Sequence, residues 1–370
     1  MRFQFATAGN IVFGAGAAHD AGKLAAPLGR RALVVTGRDA GRAGFLIDGL
    51  RKNGVEAGVF SVVGEPSVEI VEEVVVLART EGCDLVVSIG GGSALDAGKA
   101  IAAMLTNPGA VMDYLEVIGG GKTLTRDSAP FIAIPTTAGT GSEVTRNAVL
   151  ASAKHRVKVS LRSASMLAKI AIVDPELTYD LPPAITASTG LDALTQVIEP
   201  FVSCRANPMT DAICVEGMKR ASRSLRTAFE NGADHAARED MCVASLFGGL
   251  ALANAGLGAV HGFAGVIGGM FGAAHGAICA ALLPHVMEAN IRALRKRDRD
   301  GEALRRYEGV GLFLSRERTV CAEDGVEWVQ RLVSDLRIPG LRKYGLQTSD
   351  MKEVIEKSAK ASSMKANPIV

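Results

Sequence analysis

Apolar and polar positions divide the chain into two kinds of segment. In the first half, short apolar runs end in glycine or in a polar loop: residues 30–37 (RRALVVTG), 83–93 (CDLVVSIGGGS) and 129–143 (APFIAIPTTAGTGSE). Residues 68–82 (VEIVEEVVVLARTEG) and 94–107 (ALDAGKAIAAMLTN) carry apolar positions at helical spacing instead. Strand, helix, strand, helix, strand is the order of a parallel sheet with helices on both faces. The β-branched residues in the short runs fit strands buried on both sides.

The pattern changes near Leu181. After IAIVDPELTYDLPP (residues 170–183) the β-type runs stop, and Ala-, Leu- and Met-rich stretches of period near 3.6 follow. Pro182-Pro183 marks the break. The expected organisation is an α/β dinucleotide-binding domain over 1–180 and an all-helical domain over 181–370. The tail of the chain alternates charged and apolar residues, as solvent-facing helices do.

Composition narrows the function classes. The chain has 370 residues, 48% hydrophobic and 22% charged, so it can bury a sizeable core. Lys+Arg 41 against Asp+Glu 39 gives a net charge of +2 without a basic stripe, which speaks against a nucleic-acid partner. Six cysteines without a CxxC, and an N-terminus (MRFQFATAGN) without an apolar leader core, fit a reduced, cytoplasmic protein. Residues 241–287 contain no Asp, Glu, Lys or Arg, longer than a bilayer span requires. Gly-Gly pairs, Asn254, three histidines and Pro284 interrupt that stretch. We read it as buried core helices and expect no membrane partner.

Two loops have the chemistry of phosphate binding. Gly90-Gly91-Gly92-Ser93 joins an apolar strand run to a helical run, where a backbone without Cβ and a helix N-terminus can receive a diphosphate. Ser93 is expected as the helix N-cap. A second loop, residues 135–142 (PTTAGTGS), offers the hydroxyls of Thr136, Thr137, Thr140 and Ser142 after another strand run. Neither loop is a P-loop or the usual three-glycine fingerprint. After the first strand run come Gly37 and Arg38. A small residue followed by a cation leans towards NADP, while Asp39 leaves NAD open.

A different chemistry gathers in the second half. Asp192 and Gln196 are four apart in a helical run, hence on one face. His261 and His275 lie in the uncharged stretch, each followed by glycine. Such histidines read either as satisfied core residues or, with a carboxylate one helix away, as metal ligands. Asp192 and Glu199, seven apart on one helix, read either as an acid/base pair or, as we expect, with Glu199 in a solvated or helix-dipole role.

Four motifs in order, GGGSxxDxxKA (90–100), PTTAGTGSEVT (135–145), GLDALTQxIE (190–199) and the VHG…HG…LLPHVM run (260–287), together resemble the iron-containing, or group III, alcohol dehydrogenases. The resemblance spans nearly the whole chain. It implies a dehydroquinate synthase-like fold, and NAD(P)-dependent interconversion of alcohols with aldehydes or ketones in a cleft between the domains. By the family pattern Asp192, His261 and His275 match metal ligands for Fe2+ or Zn2+, with Gln196 at the fourth ligand position. Gly90, Gly91, Gly92, Ser93 and Asp96 match the pyrophosphate motif. Thr136, Thr137, Thr140 and Ser142 match the second cofactor loop, and Lys158 the lysine that reaches the cofactor ribose. Family members with Asp at the position of Gly37 prefer NAD. The partners implied are a small-molecule alcohol or aldehyde and a second copy of the chain, as a homodimer.

Two positions depart from the pattern: Gln196 stands where the family usually has His, and Gly265 where a proton-relay His is common. Alternative readings are therefore a metal-free reductase resembling maleylacetate reductases, a dehydroquinate-synthase-like lyase, and a non-catalytic nucleotide-binding protein. The chain ends at SSMKANPIV, where relatives continue for a short helix, so a truncated terminus is expected.

Overall fold

The computed structural model describes all residues except Met1, Arg156, Arg316, Arg318 and Val370. The chain divides into two compact units. One comprises Thr7–Thr137 and Gly141–Thr178; the other runs from Tyr179 onward and takes in the segment up to Ala6 and Ala138–Thr140.

The first unit is α/β. Its strands are β1 (Asn10–Phe13), β2 (Arg31–Thr36), β3 (Glu56–Ser61), β4 (Leu85–Gly90), β5 (Phe131–Pro135), β6 (Asn147–Ser152), β7 (Val157–Arg162) and β8 (Ile170–Val173). Six of them form a parallel sheet in the order β1-β8-β5-β4-β2-β3, and β6 and β7 pair as a separate antiparallel hairpin. Its helices are α1 (Ala21–Ala25), α2 (Gly44–Lys52), α3 (Val68–Thr80), α4 (Gly92–Thr106) and α5 (Val111–Tyr114). Every residue of β4 and β5 is buried, which explains their continuous apolar runs. Val34, Val87, Ile132, Ile134 and Ile172 meet in one core cluster. Edge strand β3 is only half-buried, and it was not legible from its weak apolar run.

Local signals account for the helix on either side of the site. Ser67 caps α3 by accepting from the Ile70 N–H, and Val68, Val71, Val74, Val75 and Ala78 form its buried stripe. Gly82 then turns the chain at φ +69. The sheet changes direction between β2 and β4: β3 lies outward of β2, and β4 returns on its other side. In a parallel sheet the carboxyl ends of the two strands flanking such a reversal form the natural ligand crevice. Those ends are Gly37 and the Gly90 loop.

The second unit is helical, with α6 (Pro183–Val202), α7 (Pro208–Glu230), α8 (His235–Ala255), α9 (Ala259–Phe271), α10 (His275–Arg297), α11 (Glu302–Ser315), α12 (Ala322–Asp335) and α13 (Met351–Ser358). No strand follows Val173 among the described residues. Pro183 opens α6 at its first turn, where its missing N–H costs nothing. Every residue of α6 from Gly190 to Val202 is buried. Gly190 lets α7 pack closely, since a Cβ there would stand 2.2 Å from Cδ1 of Leu225 and that side chain would have to shift.

The uncharged stretch becomes the end of α8, all of α9 and the start of α10. Helix α10 is long and apolar enough to cross a bilayer, and α8 with α9 only as a pair bent by 101°. Over half of the α10 window (56%) is buried within the protein, as in a core helix.

Candidate functional site

The two glycine- and threonine-rich loops of the α/β unit meet at one edge of the sheet. Gly90 of β4 stands in register with Pro135 of β5. The Thr136 N–H donates to the Gly90 carbonyl at 2.9 Å. A Cβ on Gly91 would lie 3.6 Å from the Thr137 hydroxyl oxygen, so the second loop lies against the first. Gly90 also faces the end of β2, where a Cβ would stand 3.2 Å from the Gly37 nitrogen.

The N-cap of α4 is Gly91, and Ser93 sits inside the first turn rather than at the cap expected for it. Gly91 has no side chain to occupy the first N–H groups of α4, which leaves them for an anionic ligand. The third glycine thus belongs to the helix.

The other expected cofactor residues divide in two. Ser142 donates to Asp96 at 2.6 Å, while Asp96 also accepts from the Val149 N–H and pairs with Lys99 at 3.2 Å. These residues tie the second loop to α4. Buried Lys99 completes the knot by donating to the Ser142 carbonyl and the Thr145 hydroxyl. Lys158 on β7 pairs with Glu65 at 2.9 Å. Arg38 is exposed, and Asp39 is engaged in capping the next turn by accepting from the Gly41 N–H. Thr140 belongs to the helical unit, where neighbouring Gly139 packs on Thr189 so closely that a Cβ would stand 2.7 Å from it.

In the helical unit Asp192 and Gln196 lie on α6, His261 in the first turn of α9 and His275 at the start of α10. Donor atoms of Asp192, His261, His275 and Cys279 all lie within 4.8 Å of one another. His261 Nε2 is 3.4 Å and His275 Nε2 is 3.8 Å from Asp192 Oδ1. These gaps exceed the roughly 2.7–2.9 Å of a charge-assisted hydrogen bond. Asp192 Oδ1, His261 Nε2 and Gln196 Oε1 are buried without a hydrogen-bond partner. Unpaired buried polar atoms are costly, and here two of them converge on one point. With His275 and Cys279 beside them, these donors could hold a cation.

Glu199 is buried and takes part in the site, against the solvated role expected for it. Its Oε2 lies 2.6 Å from His261 Nδ1, and its Oε1 accepts from the Val260 N–H at 2.7 Å. The first turn of α9 has no cap of its own, so Glu199 supplies one while fixing the His261 ring. Nδ1 is thereby engaged and Nε2 turned towards Asp192.

The electrostatics match. Burial disfavours a charged His261, yet the Cys279 sulfur, Asp192 and Glu199 outweigh it and hold the imidazole well above its ordinary range. The Cys279 sulfur pushes His275 up to about 9 against burial, with Asp192 adding to the effect. Burial would raise Asp192, but His275 and His261 prevail and its carboxyl is lowered.

Sequence reasoning missed Cys279, since it assigned the six cysteines no chemistry beyond a reduced state. Its position one turn after His275 was the available signal. Three other histidines have partners elsewhere: His155 is 2.9 Å from the Ser152 hydroxyl, His235 stacks on Tyr179, and the His19 ring lies 5.0 Å from that of Phe45. Gly265 on α9 faces open space, with nothing within 4 Å of a Cβ.

Comparison with known proteins shows the family of the chain. Residues 8–175 match the family described as iron-containing alcohol dehydrogenase, and residues 186–370 the C-terminal domain of the same family. The long-chain-alcohol dehydrogenase 1 of Geobacillus thermodenitrificans is 41% identical over 82% of this chain and 76% of its own length. The 1,3-propanediol dehydrogenase of Klebsiella pneumoniae is 36% identical over 92% of this chain and 88% of its own. Among solved structures, an alcohol dehydrogenase from Oenococcus oeni superposes with a TM-score of 0.92 at 32% identity, covering 100% of this chain and 96% of that one.

Proposed function

The chain belongs to the iron-containing alcohol dehydrogenase family, an NAD(P)-dependent group acting on CH–OH, and from that premise we propose a metal-assisted aldehyde reductase in which Asp192, His261 and His275 hold a divalent cation. The observation that carries the reading is the convergence of two buried, unpartnered donors, Asp192 Oδ1 and His261 Nε2, beside His275. Cys279 is a further donor within the cluster, and Gln196, one turn after Asp192 on α6, has its Oε1 buried and unpartnered. A divalent cation there supplies Lewis-acid polarisation of a carbonyl oxygen, and the nicotinamide supplies the hydride.

The chain's own residues bind and orient. The uncapped first turn of α4 and the backbone of Gly90–Gly92 receive the cofactor diphosphate. Thr136 and Thr137 offer hydroxyls beside it, held by the Thr136–Gly90 hydrogen bond. Gly37 leaves room after β2, and exposed Arg38 offers its guanidinium to a 2′-phosphate, which favours NADP(H) over NAD(H). Lys158, held by Glu65, is placed for the ribose by the family pattern alone. Glu199 keeps Nε2 of His261 facing the donor cluster. The open space beside Gly265 favours a substrate of some bulk.

The test is metal content of the purified protein together with NADPH- and NADH-dependent reduction of an aldehyde panel, before and after chelation. We expect one divalent ion per chain, faster turnover with NADPH, and loss of activity on chelation that added metal restores. Full activity in metal-free protein would replace this reading by a metal-free reductase.

A further inference from the structure

Cys279 is buried, and it lies one helical turn after His275, so the two side chains share a face of α10. Its Sγ stands 3.7 Å from His275 Nε2 and within 4.8 Å of the donor atoms of Asp192 and His261. Ligands of one tetrahedral zinc, bound at about 2.0–2.3 Å, are separated by roughly 3.3–3.6 Å. Three of the six separations, 3.4 Å (His261–Asp192), 3.8 Å (His275–Asp192) and 3.7 Å (Cys279–His275), are close to those edges, and all six lie within 4.8 Å. Gln196 is the rival donor. Its Oε1 lies 3.3 Å from where a Cβ on Gly248 of α8 would stand, so its amide is packed against that helix.

We propose that Cys279 is a metal ligand of this chain, a thiolate completing an Asp192–His261–His275–Cys279 set that selects zinc over iron. The physical reason is donor softness. A thiolate is a soft anionic donor that suits Zn2+, whereas the neutral amide oxygen of Gln196 suits harder ions and binds them weakly. The set compensates on α10 for the imidazole that α6 lacks at Gln196. It rests on the cation centre proposed above and adds to it the identity of the fourth donor and of the metal.

The experiment loads the full-length protein with zinc for X-ray absorption, and with cobalt(II) for optical spectroscopy. We expect one sulfur scatterer per zinc at about 2.3 Å beside nitrogen and oxygen at about 2.0–2.1 Å. The cobalt form should show a near-ultraviolet sulfur-to-cobalt charge-transfer band. In Cys279→Ser the sulfur shell and that band disappear. Zinc affinity there falls by more than the roughly 10–100-fold typical of losing an outer-shell partner. In Gln196→Ala both signatures persist. A wild-type centre that binds one zinc through nitrogen and oxygen alone overturns the thiolate while leaving the cation centre standing. Wild-type protein that takes up no metal, or Asp192→Asn binding it as tightly as wild type, overturns the centre itself and the thiolate with it.

Discussion

Glu199 and His261 are joined at 2.6 Å, Oε2 to Nδ1, while the other carboxylate oxygen of Glu199 holds the backbone N–H of Val260 one residue earlier. One side chain of α6 thus sets both the start of α9 and the direction of its imidazole. Replacing Glu199 by Gln leaves one acceptor oxygen for two donors, and turns an amide N–H towards one of them. We expect metal affinity to drop about 10–100-fold and stability by about 1–3 kcal/mol. Chelator-competition titration and urea unfolding measure the two effects.

Gly276 permits α10 to meet α6. A Cβ there would stand 2.5 Å from the Ser188 carbonyl oxygen, which is backbone and cannot swing aside. Gly276→Ala therefore costs about 1–3 kcal/mol despite the better helix propensity of alanine. By separating His275 from Asp192 it should also lower the bound metal per chain, read by elemental analysis.

Glu143 is buried near Lys99, and burial pushes its carboxyl up to about 7 from an ordinary 4.5. Between those values the folded state keeps a proton that the unfolded chain has released. The contribution to stability is full below pH 4.5 and is lost as the pH rises through 7, on the order of 3 kcal/mol in all. Glu143→Gln should remove that slope and leave the protein more stable than wild type at pH 8. Denaturant midpoints across pH 5–8 give the answer; parallel curves for the two proteins would contradict it.

Gly265 lies inside α9 with open space on its Cβ side. Gly265→Ala should stabilise the protein by up to about 1 kcal/mol, because alanine loses less backbone freedom on folding. If the space takes substrate, KM should rise for branched aldehydes and stay level for small ones.

Arg38 and Gly37 follow β2 at the reversal of strand order. Arg38→Ala should lower kcat/KM with NADPH relative to NADH about tenfold, the loss of one charge-assisted contact. Gly37→Asp should shift the preference further towards NADH. An unchanged ratio in both variants would remove this turn from cofactor selection.

The sequence displayed most of the fold where burial is one-sided in kind. β4 and β5, covered on both faces, are apolar without interruption, and α3 shows its stripe. Strand β3 was not singled out because its half-exposed residues follow no distinctive period; the β6–β7 hairpin was missed although β7 (VKVSLR) alternates apolar and polar residues, a signal that was available. At the site, Asp192, His261 and His275 were visible as chemistry-bearing residues out of place in apolar helices. Cys279 and Glu199 were not. A buried cysteine looks like any small core residue, and a carboxylate seven positions along a helix looks solvated until every side of that helix proves buried. Ser93 as cap failed for a local reason: with glycine at 91 the chain can enter α4 two residues earlier.

The donors of the cation centre come from three separate helices, α6, α9 and α10, and only the folded chain brings them together. An ion held by all three acts as a removable cross-link, and its binding energy becomes folding energy by mass action. At a free concentration one hundred times the dissociation constant this adds about 2.7 kcal/mol. With the proposed centre occupied, the melting temperature would rise with the ion supply of the surroundings, and a starved cell would hold a softer protein than a replete one.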